Sequence, residues 1–98
     1  MPPLIEQYGM LFEWHDPKLD TVYLKRKITF DEVCSVFLDD YSFTMEDVGH
    51  YEEQRIITIG ISNQNRLLTV IWVARDDVFR IITAFESSHT HKRKYHAR

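Results

Sequence analysis

A chain of 98 residues is one domain, and the modest core it can bury leaves it near the stability threshold or reliant on a partner. Its 44% hydrophobic and 28% charged residues are those of a soluble globular protein rather than a disordered or linker-rich chain, and the single cysteine, Cys34, excludes an internal disulfide and a Cys-rich zinc site. The net charge of −3 conceals an asymmetry: residues 1–54 carry 4 basic and 12 acidic side chains, and residues 55–98 carry 8 basic and 3 acidic, so the C-terminal half alone suits a polyanion or an acidic partner surface.

Residues 1–9 hold two prolines and no clear period, so they read as an irregular arm, with a single domain over residues 10–98. Translation could start at Met1 or at Met10, where the patterned sequence begins. No basic segment precedes an apolar one, so no secretory signal is expected, and the longest apolar runs have strand length, which argues against a membrane span. A cytoplasmic, reduced protein is the expectation.

Residues 10–14 read as a short strand. Asp16 as N-cap and Pro17 in the first turn open a first helix. Leu19, Val22 and Tyr23 recur at helical spacing, and Lys25, Arg26 and Lys27 crowd the C-terminus, where cations complement the helix dipole. Thr29 and Glu32 have the spacing of a capping box for a second helix, with Ile28 and Val33 as its hydrophobic staple. Phe30, Val33, Cys34 and Phe37 then share one face, which makes Cys34 core filler rather than a nucleophile.

Four strands follow, over residues 41–46, 55–61, 67–74 and 78–85, the third the most apolar and therefore central. Polar turns separate them, at Asn63-Gln64-Asn65 and at Arg75-Asp76-Asp77, as in an antiparallel meander. Ser87 or Ser88 caps a short basic helix over residues 89–98. The expected fold is α+β: a twisted antiparallel sheet of about four strands packed by two N-terminal helices and a short C-terminal helix.

The order of residues along this layout resembles BrnT-type toxins. Phe12-Glu13-Trp14 and Asp16-Pro17-Lys18 resemble the family's opening, followed by Ile28-Thr29-Phe30-Asp31-Glu32, Val36-Phe37, Glu46-Asp47, His50, Glu53, Arg55, Ile59-Gly60, Ser62, residues 66–70, residues 80–84 and Tyr95. The resemblance implies a RelE-like ribonuclease that cleaves RNA and slows translation. It also implies a small antitoxin partner, typically with a ribbon-helix-helix DNA-binding domain, so that DNA is reached only through the antitoxin. The chain departs from the family pattern at Lys25-Arg26-Lys27 (usually Lys-His-Gly), Gly60-Ile61-Ser62 (usually Gly-Arg-Ser), Thr83-Ala84-Phe85 (usually Ser-Ala-Arg) and His91-Lys92 (usually Glu-Arg).

RNA cleavage through the ribose 2′-hydroxyl needs a base, an acid and cations for the crowded phosphate. Lys25, His50, Glu53, Arg80 and Tyr95 are the candidate catalytic residues, and Arg26, Arg55, Lys92 and Arg93 the candidate RNA-binding ones. Each has a structural reading as well. Lys25 and Arg26 complement a helix dipole, strand arginines commonly lie on a solvated face, His50 and Glu53 can share a surface hydrogen bond, and Tyr95 can pack one ring face on the sheet. His89, His91 and His96 lack ligand spacing, so no metal is expected, and no glycine-rich phosphate loop calls for a nucleotide cofactor. Two functions fit: a metal-independent ribonuclease toxin neutralised by an antitoxin, or a catalytically inactive toxin-fold protein that binds an antitoxin and serves in operon autoregulation.

Overall fold

The structure, a computed structural model, describes residues 4–14, 21–49 and 52–98. Six strands form one mixed sheet: β1 (Ile5–Gln7), β2 (Met10–Trp14), β3 (Phe43–Asp47), β4 (Arg55–Ile61), β5 (Leu67–Arg75) and β6 (Val78–Glu86). Their order across the sheet is β1-β2-β6-β5-β4-β3. The meander β3 to β6 is antiparallel throughout, as its polar turns predict. Asn65 (φ 59°) and Asp76 (φ 52°) supply the left-handed residues of those turns.

The expected four-stranded antiparallel sheet with two N-terminal helices is overturned on two counts. First, β2 joins the sheet beside β6 and runs parallel to it, with Glu13 opposite Arg80 and Trp14 opposite Ile81. No local signal says where a lone strand pairs when its partner lies more than sixty residues on. Burial decides it, because Phe12 and Trp14 reach the core only from within the sheet. β1 then doubles back on β2 through Tyr8 (φ 56°) and Gly9 (φ 77°), two consecutive positive-φ residues that make a tight two-residue hairpin. The segment expected to be irregular thus contains a strand.

Second, the N-terminal helical content is small. Asp16, Pro17 and Leu19, on which the first helix was expected to start, lie outside the described residues. The described remainder, Thr21–Lys25, is a single wide helical turn. It closes with Lys27 in the left-handed region (φ 58°) and the Ile28 amide donating to the Val22 carbonyl at 3.2 Å. α1 (Phe30–Ser35) is short and tightens into a three-residue turn, Val36–Leu38. Thr29 caps α1 by accepting from the Glu32 amide at 3.1 Å. The reciprocal half of the capping box is replaced, because the Glu32 carboxylate turns away to Arg66 and Ser62. α2 (His89–His96) starts at Ser88 as expected.

Strand alternation gives the sheet two faces. The inner face carries Phe12, Trp14, Leu68, Val70, Ile81 and Ala84 against Val22, Ile28, Val33, Cys34 and Val36. Phe37, Trp72 and Phe79 extend it as an aromatic cluster with ring centroids 4.8–5.5 Å apart. Burial pushes the Cys34 thiol up to about 12, in keeping with its reading as filler. The outer face carries Ile71, Val73 and Ile82, with Ile57 and Phe85 packed on them. α2 covers one end of that face through His91, which contacts Thr69 and Phe85, and Arg98 beyond it lies over Phe43.

Buried polar clasps hold the layers in register. Glu32 is nearly fully buried and accepts from Ser62 at 2.7 Å, from Arg66 Nε at 2.8 Å and from a second Arg66 nitrogen. Burial pushes its carboxyl up, but the bonds from Arg66 and Ser62 outweigh it and leave the group below the ordinary carboxylate range. Arg66 also donates to the Lys27 carbonyl at 2.9 Å, which ties the left-handed turn to the sheet.

Candidate functional site

The outer face is organised in rows across the strands. Register places Asp47 opposite Arg55, Val73 opposite Arg80 and Arg80 opposite Glu13; Arg55, one step beyond the Ile56–Trp72 pair, faces Val73. One row therefore reads Asp47, Arg55, Val73, Arg80, Glu13 across five strands. At a strand spacing of about 4.8 Å, Arg55 and Arg80 stand roughly 10 Å apart at the backbone, on either side of Val73.

Arg80 donates to Glu13 at 3.1 Å, and the two side chains are 17% and 12% exposed. A guanidinium this sheltered keeps its direction because its partner is fixed on the neighbouring strand. Arg75 and Glu53 form a second, more exposed pair, with Arg75 Nε donating at 3.0 Å. The bond from Arg75, joined by the charges of Arg75 and Arg80, holds the Glu53 carboxyl below the usual range. That keeps Glu53 anionic and weakens it as a base.

Next along β6, the ladder shifts. Ile71 faces Thr83 while Trp72 faces Ile81, which leaves Ile82 as a bulge residue. The bulge turns β6 just where Arg26 arrives around the sheet margin. Arg26 donates from one Nη to Thr83 Oγ1 and to the Ala84 carbonyl, both at 2.9 Å. The arginine expected to grip phosphate is thus anchored to β6, two rows from α2, while Lys25 stays exposed at the end of its turn.

The remaining candidates lie elsewhere. His50 falls outside the described residues. Tyr95 is the buried residue of α2, and its hydroxyl donates to Asp39 at 2.6 Å. Asp39 also accepts from the Ile61 amide, so Tyr95 stands near the Ile61–Leu67 end of the sheet. Leu67 is six residues along β5 from Val73, roughly 20 Å from the Arg80 row. Burial and then the Asp39 carboxylate push the Tyr95 phenol up to about 12. Lys92 and Arg93 are exposed on α2 at that same end.

The structure therefore brings together Arg80, Arg55, Glu53 and Arg26 on one face and sets Tyr95 apart. Sequence reasoning missed Glu13 and Thr83 as partners. Glu13 was visible only as an acidic residue between two aromatics, a pattern that turns it to the face opposite Phe12 and Trp14. Among the described residues, no helix is long and apolar enough to cross a membrane.

These features meet a family whose model matches residues 14–91, described as the ribonuclease toxin BrnT of type II toxin–antitoxin systems. No curated protein matches the chain. The match runs from the last residue of β2 to the first turn of α2 and so includes the meander, Arg55, Arg80 and Arg26, while Glu13 lies just before it. The chain belongs to the BrnT family of ribonuclease toxins of type II toxin–antitoxin systems.

Proposed function

We propose that this protein is an active toxin that cleaves RNA on the outer face of the sheet without a metal ion and so inhibits translation. The observation that carries the reading is Arg80, sheltered on that face by its bond to Glu13 and set in one row with Arg55. Two guanidinium groups across a narrow sheet suit a bent RNA backbone, whose reacting phosphate gains negative charge in the transition state.

The 2′-oxygen attacks the adjacent phosphorus, the bond to the 5′-oxygen breaks, and a 2′,3′-cyclic phosphate and a free 5′-hydroxyl result. Glu13 holds Arg80 in position, Arg80 and Arg55 hold the phosphate oxygens, the 2′-proton passes to solvent, and the leaving oxygen takes a proton from His50 or from solvent. Lys25 and Arg26 contact the flanking phosphates, and Lys92 and Arg93 extend the cationic track. Glu53 shapes the field at Arg80 through Arg75, and Tyr95 has a structural role. A small antitoxin, with a ribbon-helix-helix domain that carries the pair to DNA, covers this face in the cytoplasm.

A second reading is a catalytically silent relative that only binds the antitoxin. It is favoured by Ile61, which stands where the family usually has arginine and is exposed at the end of β4. Induction of the chain alone in a bacterial host, with growth and total RNA followed together, separates the two. Growth arrest with RNA fragments is expected, with activity of the purified protein retained in EDTA and reduced at least 100-fold in Arg80→Ala. Normal growth and intact RNA with soluble protein present would select the silent reading.

A further inference from the structure

Beyond the Arg80 row, three side chains converge at the α2 end of the outer face, from β6, from α2 and from the residue that follows the Thr21–Lys25 turn. The Arg26 guanidinium carbon lies over the Phe85 ring, 5.7 Å from its centroid. The His91 ring stacks on the same Phe85 at 6.3 Å, with 26° between the planes. His91 Nδ1 is held by Thr69 Oγ1 at 2.9 Å, and Thr69 Oγ1 in turn bonds Ser87 Oγ at 2.8 Å. Thr69 is 0% and Ser87 7% exposed.

Two buried hydroxyls thus fix the orientation of one half-buried imidazole. Packing alone does not need them, since an apolar side chain at position 91 would cover Phe85 equally well. What they achieve is to occupy Nδ1 and leave Nε2 with no protein partner among the described residues. Arg26 is arranged in the same way. One Nη nitrogen is spent on Thr83 and Ala84, and its remaining donors find no partner among the described residues. An anchored guanidinium and an oriented imidazole, each with a polar edge unspent and both packed on one aromatic ring, are groups that take hold of a nucleotide in single-stranded RNA.

We propose that Arg26, Phe85 and His91 form a nucleotide subsite for single-stranded RNA, distinct from the Arg80 row and roughly 13 Å from it along β6. Arg26 takes a phosphate oxygen, His91 Nε2 hydrogen-bonds the same nucleotide, and Phe85 holds the two groups at a fixed spacing. The subsite rests on the reading of this face as RNA-binding and adds to it a site that selects a nucleotide flanking the cleaved bond at that distance.

The test is binding of a 2′-O-methyl RNA octamer, which cannot be cleaved, to the full chain by fluorescence anisotropy. His91→Ala and Phe85→Leu are expected to weaken binding about tenfold each. Arg26→Gln should lower the slope of log affinity against log salt by about 0.7. In the wild-type protein, the His91 imidazole proton resonances should shift on RNA addition, a readout that holds even if a variant misfolds. Unchanged affinity in folded His91→Ala and Phe85→Leu, or unshifted His91 resonances at saturating RNA, would overturn the subsite. If Arg80→Ala still weakened binding in that case, the ribonuclease reading would stand without it. Failure of the wild-type protein to bind RNA at all would overturn both. Unchanged RNA binding with weakened antitoxin binding in the His91 variant would overturn the RNA subsite and assign the cluster to the protein partner.

Discussion

Glu13 and Arg80 face each other across the only parallel strand pair among the described residues, 3.1 Å apart and both largely sheltered from water. The pair does two things at once. It fastens the N-terminal strand to the meander, and it presents a guanidinium on the outer face in a fixed direction. Glu13→Gln keeps the shape but removes the charge. It is expected to lower stability by about 1–3 kcal/mol in urea unfolding, because Arg80 is left with a weaker acceptor in a sheltered site. RNA cleavage should fall with it, since Arg80 loses the charged partner that fixes its direction. An unchanged urea midpoint would mean that Arg80 finds an equivalent acceptor elsewhere.

Lys27 adopts a left-handed backbone (φ 58°) that a side chain resists and glycine does not. Its side chain is exposed, and the contact that matters, its carbonyl accepting from Arg66, survives substitution. Lys27→Gly is therefore expected to stabilise the protein by about 0.5–1 kcal/mol, read as a higher urea midpoint at constant slope. A loss of stability would show that the lysine side chain makes a contribution larger than the backbone strain it causes.

Gly60 is packed for a different reason. A Cβ there would lie 3.0 Å from both the Val36 side chain and the Val36 carbonyl, and 3.3 Å from Ser42 Cβ. Only a bare backbone lets β4 approach the turn that follows α1. Gly60→Ala should cost about 1–3 kcal/mol through the shift it forces on that turn. Thermal unfolding monitored by circular dichroism would show it, and a variant as stable as the parent would mean the turn moves freely.

The Tyr95–Asp39 bond makes stability depend on pH at both extremes. The Tyr95 phenol is pushed from 10.0 in the unfolded chain to about 12 when folded, so its contribution is complete below pH 10 and is lost as pH rises from 10 towards 12. For Asp39, burial raises the carboxyl, but the Ile61 and Tyr41 amides, Tyr95 and the Arg98 charge together lower it below 3.8. That contribution is present above pH 3.8 and is lost as pH falls further. Tyr95→Phe should flatten the alkaline limb and cost about 1 kcal/mol near neutral pH. Urea midpoints measured across the pH range test this, and an alkaline limb identical in Tyr95→Phe would assign it to another group.

Much of the local structure was legible in the residues themselves. Arg55–Ile61 was readable as a strand to the residue, and the strands from Leu67 and Val78 differ from their expected spans by one residue at the C-terminal end. Thr29 announced the start of α1 and Ser88, one of two candidate caps with Ser87, that of α2, and Ile28 and Val33 are both fully buried as the staple requires. These signals are local, because a cap or a period-two pattern is decided by neighbours in the chain. The same holds for Arg55 and Arg80, which share the outer face because alternation fixes which way a strand residue points.

What the chain alone could not declare is every relationship that crosses sequence distance. That β2 pairs with β6 and runs parallel to it, that Glu13 meets Arg80, and that Arg26 reaches Thr83 while Tyr95 is drawn to Asp39 all depend on which apolar faces are buried together. Residue types and local periods determined the meander strands, the caps of α1 and α2, the family and the cationic inventory of this protein. The tertiary structure decided the strand order and the set of residues that share a site, because backbone pairing carries no sequence label and is settled by burial of Phe12 and Trp14 in the common core.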